Sequence, residues 1–355
     1  MTKETMRAAI LRAPGNMVVE EVPLPEPPPG WVRIKVRASG ICGSDIHIFT
    51  GQHPWLAPGS PMENLVLGQV YGHEVAGTID ALGDGSTLQV GTRVALNGIV
   101  PCLRCEYCRV GLYEICPNLQ HYGFHQPGGF AEYLLAPAAN AVPLPDGLSF
   151  AAGALVDVVV VGLHAVQRAR INLSDRVAVL GAGPIGLAAA AAAVRAGARA
   201  TAMTVQYPLQ RRLAERIGVD HVVTVDAMAA EAGAITNGRG FDVVIEAVGY
   251  KADVMQRAID LVRRGGRIVF TGVYEAPVTL DLGTLLAKEA SISASHAFGN
   301  WGLVPEVELA VELLAHGYFP VEEIVTDTYP LEAINDAFRA KMDRPAETAK
   351  VQIVF

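Results

Sequence analysis

Four of the five cysteines in this chain fall within one short stretch. Cys102, Cys105, Cys108 and Cys116 read Cys-x2-Cys-x2-Cys-x7-Cys. Four thiolates satisfy a tetrahedral zinc completely and leave no position for substrate, so the chemistry expected of them is structural. An iron–sulfur cluster is the competing reading of this spacing, and the zinc-like setting of the remaining cysteine favours zinc. That cysteine, Cys42, opens the run Cys42-Gly43-Ser44-Asp45-Ile46-His47, and Gly72-His73-Glu74 follows further on. A thiolate and an imidazole completed by a carboxylate give three protein ligands and leave a fourth position for water or an alcohol, which is an open, catalytic centre. Taken alone, Cys42 reads equally well as a small buried hydrophobe and either histidine as a structural one. Their joint occurrence favours a metal.

A second constellation would hold a dinucleotide. The apolar run Val177 to Leu180 leads directly into Gly181-Ala182-Gly183-Pro184-Ile185-Gly186 and then into an alanine-rich helical pattern. In such a fingerprint the first glycine permits the tight turn, the second lets the backbone approach a pyrophosphate, and the third allows close packing of helix on strand. Isolated, the motif is weak; between a strand and a helix, the cofactor reading is several times stronger than a plain turn. The next strand would end in an acidic residue to hold the ribose of NAD, but here it ends Val205-Gln206-Tyr207. Gln206 carries no charge to repel a 2′-phosphate, and Arg211 and Arg212 follow closely enough to meet one, so both NAD and NADP stay open. A solvated helix face is an equal reading of the two arginines.

The elements that must position these residues divide the chain. Its 355 residues exceed one core, and 51% hydrophobic content is ample for two. Residues 1–150 carry short β-type runs broken by Gly and Pro, such as Trp31 to Val36, Val75 to Ile79 and Arg93 to Leu96, and predict a largely β domain. Residues 151–295 alternate apolar strands and helices and predict a doubly wound parallel sheet of the Rossmann kind. Strands are expected at Val177 to Leu180, Ala200 to Val205, His221 to Val225, Asp242 to Glu246 and Arg267 to Thr271, with a helix at Gln210 to Ile217. The remainder, 296–355, is expected to return to the first domain through a helix over Pro305 to His316 and a closing strand, Lys350 to Phe355. Pro23 to Pro29 is expected to run extended on the surface.

The formal charge of −8 is spread without a basic block, which argues against nucleic acid or an anionic membrane as a partner. The N-terminal residues lack a secretion signal, and the most apolar stretch, Leu187 to Val194, is too short to span a membrane. Both suggest a cytoplasmic protein, where clustered thiols hold metal more often than disulfides.

Taken together, the chain resembles the zinc-containing medium-chain alcohol dehydrogenases, near their threonine and sorbitol (polyol) dehydrogenase branches. The motifs that carry the resemblance span the chain: Cys42 to Asp45, Gly72 to Glu74, the four-cysteine lobe, Gly128-Gly129-Phe130-Ala131-Glu132-Tyr133 and Gly181 to Gly186. The resemblance implies a GroES-like, mainly β catalytic domain joined to the Rossmann domain, two zinc ions per chain, a small-molecule alcohol substrate, and a homodimer or homotetramer. It implies Cys42 and His73 as ligands of the catalytic zinc, with Glu74 able to approach or exchange, and puts the remaining ligand position on Asp157. Here Leu155-Val156-Asp157-Val158 replaces the commoner Glu-Pro pair, so ligation by Asp157 directly or through water stays open. The segment between Cys42 and His73 is also longer than usual, with Pro54-Trp55 and Pro58 to Pro61 inside it, and is expected to reshape the substrate cleft.

The chemistry so implied is ionisation of an alcohol on zinc followed by hydride transfer to a nicotinamide. Ser44 would be the hydroxyl beside the substrate oxygen, His47 the relay of its proton toward solvent, and Asp45 the acceptor that fixes the tautomer of His73. A reductase working in the opposite direction uses the same residues. A non-catalytic zinc- and nucleotide-binding redox sensor on the same fold would be expected to have lost Ser44, His47 or a zinc ligand, and none is lost. For the substrate, the branch points to a polyol, a sugar-derived or cyclic secondary alcohol, or a 3-hydroxy amino acid. His121, His125, His296, Phe298 and Trp301 are pocket candidates, each equally readable as packing or surface.

Overall fold

The strand Trp31–Gly40 (β1) alternates cleanly, with Val32, Ile34, Val36 and Ala38 buried and the residues between them partly exposed. Such a period of two is a strand with one face on a core. In the computed structural model, which describes residues 4–52, 67–249, 252–274 and 276–355, β1 is the hub of a seven-stranded sheet. It pairs antiparallel with Glu74–Leu82 (β2) and, on its other side, with the closing strand Lys350–Val354 (β9). The register puts Glu74 opposite Gly40, two residues before Cys42.

Beyond β1 the chain turns into a short helix, Gly43–Thr50 (α1). Its N-cap is Cys42, whose backbone N–H donates to Asp45 Oδ2 at 2.9 Å, and Gly51 ends it in the left-handed conformation at φ 75°. The helix buries Ile48 and Phe49 in a core with Phe130, Phe338 and Val351, and the Phe49 and Phe338 rings stack at 4.5 Å. Burying each of those two side chains contributes about 1.5–3 kcal/mol, so the helix that carries Ser44, Asp45 and His47 is anchored from beneath.

A second compact unit contains a six-stranded parallel sheet. Its strands are Arg176–Leu180 (β3), Ala200–Val205 (β4), His221–Thr224 (β5), Phe241–Glu246 (β6), Val262–Phe270 (β7) and Ser291–Ala294 (β8), in the order β5-β4-β3-β6-β7-β8. This is the doubly wound order, with its switch between β3 and β6. The Ala-rich segment forms helix Pro184–Arg195 (α2), and helix Pro208–Ile217 (α3) follows β4. Small side chains on α2 let the helix Val156–Ala169 approach closely: a Cβ on Gly162 would stand 2.5 Å from the Ala189 nitrogen.

The unit boundaries differ from those expected at 150 and 296. The first unit comprises 1–157, 307–316 and 325–355; the second comprises 158–306 and 317–324. Side-chain ties explain the shift. His164 Nδ1 lies 2.8 Å from Glu306 Oε2, which also accepts the Gly299 N–H, and Gln167 donates to the Asn300 carbonyl, so 296–306 stays with the second unit. Arg195 over the Tyr318 ring and Arg216 bound to Glu323 hold 317–324 there as well. The expected helix over Pro305 to His316 is observed at Glu306–Ala315. Pro54-Trp55 and Pro58 to Pro61 lie outside the described residues.

Candidate active site

The open cluster forms where β1, α1 and β2 meet. Donor atoms of Cys42, His73 and Glu74 all lie within 4.8 Å of one another. Asp157 stands against the same imidazole, its Oδ2 4.0 Å from His73 Nε2, while His73 Nδ1 faces Asp45 Oδ1 at 3.9 Å. One ring nitrogen thus faces the carboxylate of Asp45 and the other faces Asp157, both at the distance of an electrostatic contact and not of a hydrogen bond. Burial alone would lower the pKa of His73, but the charges of Asp45, Cys42 and Asp157 outweigh it and hold the imidazole well above its ordinary value. Burial pushes Asp157 up to about 6 and raises Asp45 too, against the pull of His73. His73 Nδ1 and Asp45 Oδ1 are buried without a hydrogen-bond partner among the described residues. A thiolate, an imidazole and carboxylates crowded in this way, with polar atoms left over, fit a divalent zinc. Ser44 sits half-buried in the first turn of α1, and His47 lies one turn further along the helix.

Glu74 has a partner that sequence reasoning missed. Lys350, on β9, meets its carboxylate oxygens at 2.6 and 2.7 Å and also donates to the Ile41 carbonyl at 3.2 Å. Both side chains are almost wholly buried. Gly40 makes the room: a Cβ there would stand 2.0 Å from Glu74 Oε2. The available signal was a lysine opening a closing strand whose Val351, Ile353 and Val354 are apolar. Lys341 comes near the same charges, and burial together with Lys350 pushes it down to about 8.

The four-cysteine lobe is built locally. Cys105 caps the helical turn Glu106–Arg109, its sulfur accepting the Cys108 N–H at 3.4 Å, and the Cys116 sulfur accepts the Cys102 N–H at 3.4 Å. The Cys105 and Cys116 sulfurs are 3.9 Å apart, and all four lie within 4.8 Å of one another. A tetrahedral zinc with bonds of about 2.3 Å requires sulfurs about 3.8 Å apart, so the four thiols fit the ion. Backbone N–H groups of Arg104 and Cys105 help push the Cys102 thiol down to about 6, while burial pushes Cys108 up to about 12.

In the second unit each fingerprint glycine has a steric reason. Gly181 has φ 101° and a Cβ on it would strike Val248 at 2.6 Å; a Cβ on Gly186 would stand 2.0 Å from the Gly181 carbonyl; beside Gly183 nothing lies within 4 Å. Gly183 caps α2, with Pro184 and Ile185 in its first turn, and leaves an open approach to helix amides, as a pyrophosphate requires. The Gly181 N–H donates to Thr204 Oγ1 at 2.8 Å, and across the switch point Glu246 Oε1 accepts from Val248 and Gly249. Gly181, Gly183, Thr204 and Gln206 line a cavity of about 870 Å³. Arg211 departs from expectation. Its guanidinium donates to the Val222 carbonyl at 2.6 Å, so it is spent on bracing β5 and is not among the cavity's lining residues. Phe124, which sequence reasoning did not single out, stands between the cluster and His121, its ring 5.6 Å from His73 and 6.2 Å from His121. His125 is exposed and accepts the His121 N–H at 3.1 Å. In the second unit Phe298 is buried, Trp301 belongs to an exposed two-residue strand, and His296 lies between that strand and β8.

Comparison with known proteins agrees with this architecture. Residues 28–146 match the family model for the alcohol dehydrogenase GroES-like domain, and residues 184–316 match that for the zinc-binding dehydrogenases. Sorbitol dehydrogenase of Bacillus subtilis is 33% identical over 99% of this chain and 97% of its own length. Erythritol/L-threitol dehydrogenase of Mycolicibacterium smegmatis is 32% identical over 99% and 98%. A Sinorhizobium meliloti 1021 protein solved with NADP bound superimposes with a TM-score of 0.86 at 30% identity, covering 99% of this chain and 100% of that one. Among the described residues no helix is long and apolar enough to cross a membrane. The chain belongs to the zinc-type medium-chain alcohol dehydrogenases of the polyol branch and is an NAD(P)-linked alcohol dehydrogenase.

Proposed function

We propose that this enzyme interconverts a polyhydroxylated or other secondary alcohol and its ketone, with Cys42, His73 and a carboxylate of Asp157 or Glu74 holding the catalytic zinc. The observation that carries this reading is the convergence of Cys42, His73 and Glu74 within 4.8 Å, with Asp157 and Asp45 on either side of the imidazole. When bound, zinc supplies the Lewis acidity that makes a hydroxyl acidic near neutral pH, and the nicotinamide accepts the hydride. Asp45 holds the His73 tautomer. Ser44, half-buried at the start of α1, takes the proton of the substrate hydroxyl, and His47 passes it toward solvent. Lys350 neutralises Glu74 and restrains it, which leaves Asp157 as the carboxylate with freedom to ligate.

The polyol preference draws on the relatives, among them the sorbitol and erythritol/L-threitol dehydrogenases. The four thiols, at the separation of a single tetrahedral ion, are read as a second, structural zinc, since a cluster would interpose iron and sulfide and spread its ligand sulfurs further. The test is reduction of NAD and, separately, NADP across a panel of polyols, other secondary alcohols and threonine, together with metal analysis. Turnover on a polyol with about two zinc ions per chain is the expected result. Silence with both cofactors in a fully metallated protein would favour the sensor reading.

A further inference from the structure

At the corner of the cofactor cavity where β4 gives way to α3, two backbone amides that could meet a phosphate are already taken. The first turn of a helix ordinarily leaves N–H groups free, and such groups seat anions. Here the Gln210 side-chain oxygen accepts the N–H of Gln206 at 2.8 Å and that of Tyr207 at 3.2 Å, and Pro208 has no N–H to offer. Gln206 and Gln210 both line the cavity, beside Thr204 and the glycine loop. The cations of α3 point elsewhere. Arg211 is bound to the Val222 carbonyl and faces Glu215, while Arg212 and Arg216 both face Glu323. The described lining carries Arg257, which is paired with Asp253 at 2.9 Å, and two further carboxylates, Asp226 and Asp260. Acidic walls of this kind repel an added dianion.

We propose that Gln210, by occupying the amides of Gln206 and Tyr207, makes this chain select NAD over NADP: the corner accommodates a ribose 2′-hydroxyl and rejects a 2′-phosphate. The proposal rests on reading the Gly181 to Gly186 cavity as the cofactor site. Gln206, uncharged and at the cavity wall, then serves the ribose as a neutral hydrogen-bonding group in place of the acid usual for NAD.

Isothermal titration of the full chain with 5′-AMP and with 2′,5′-ADP isolates the choice from catalysis. The native protein is expected to bind 5′-AMP about tenfold or more tightly than 2′,5′-ADP, the scale set by one or two charge-assisted hydrogen bonds. Gln210→Ala frees the two amides and should tighten 2′,5′-ADP about tenfold relative to 5′-AMP. Gln210→Glu keeps the helix cap, so it folds even where the alanine variant is impaired, and should widen the gap by placing a charge against the phosphate. Native protein binding 2′,5′-ADP as tightly as 5′-AMP would overturn the proposal, as would a folded Gln210→Ala chain with an unaltered ratio. Binding of neither nucleotide would overturn the cofactor-cavity reading and this inference with it.

Discussion

The two clusters of potential metal ligands are built on opposite plans. The four-cysteine lobe draws its donors from a single loop, Cys102 to Cys116, all of one chemical type. The Cys42 cluster collects its groups from α1, β2, the start of the helix Val156–Ala169 and β9, and surrounds a thiolate and an imidazole with carboxylates and a buried lysine. A closed set of four sulfurs does one thing, which is to fix a loop. A mixed set drawn from separated segments leaves a position open and surrounds it with groups whose charges can be tuned. Locality serves folding here, and dispersal serves chemistry.

Substitutions at the two clusters should therefore fail differently. Cys42→Ser is expected to lower kcat by on the order of a thousandfold while the fold persists, with zinc content falling from about two to about one per chain; circular dichroism and metal analysis on one sample check both. A variant that keeps full turnover would break the contrast. Cys105→Ser should do the reverse, lowering Tm by about 10 °C or more and leaving residual turnover in whatever fraction stays folded. Lys350→Met strands the Glu74 carboxylate and should cost about 3–5 kcal/mol of stability in denaturant unfolding. The double variant with Glu74→Gln should recover a measurable part of that loss.

Asp45→Asn tests whether the outer carboxylate orients His73. Metal affinity or turnover should fall about 10- to 100-fold, and retention of both would reduce Asp45 to the cap of α1. The smallest effect concerns Lys341. Its pKa is lowered to about 8 by burial first and then by Lys350, against an ordinary 10.5. The unfolded chain then binds more protons than the folded one between those values, so stability rises with pH from about 8 to 10.5, and the full cost is carried below 8. Lys341→Met should stabilise the protein at pH 7 by on the order of 1–2 kcal/mol, with the advantage fading by pH 10.5; a gain constant across that window would show that the lysine's charge is not its cause.

What could be read without coordinates follows the same division. The cysteine spacing and the glycine fingerprint are local patterns, and the structure brings each together as spaced. Strands such as Ala200–Val205 were legible because their apolar runs are continuous between turn signals. β7 was read short, from Arg267, because Val262-Arg263-Arg264-Gly265-Gly266 has the composition of a turn, and pairing with β6 through an irregular register overrides it. Lys350 and Glu74 are 276 residues apart, and no local signal couples them. The direction taken by Arg211 was decided by a competing carbonyl on β5, a choice that helix periodicity does not encode.

Lys350 also orders events in time. During synthesis the chain emerges from its N-terminus, so Cys42, His73 and Glu74 are exposed long before the counter-charge that their pocket needs. The whole six-stranded sheet of the second unit is made in the interval. A nascent chain that has not yet reached residue 350 holds Glu74 without its cation, and burying it so is unfavourable. The first unit would then close after the sheet of the second has been made, and the pocket around Glu74 would shut only once residue 350 arrives.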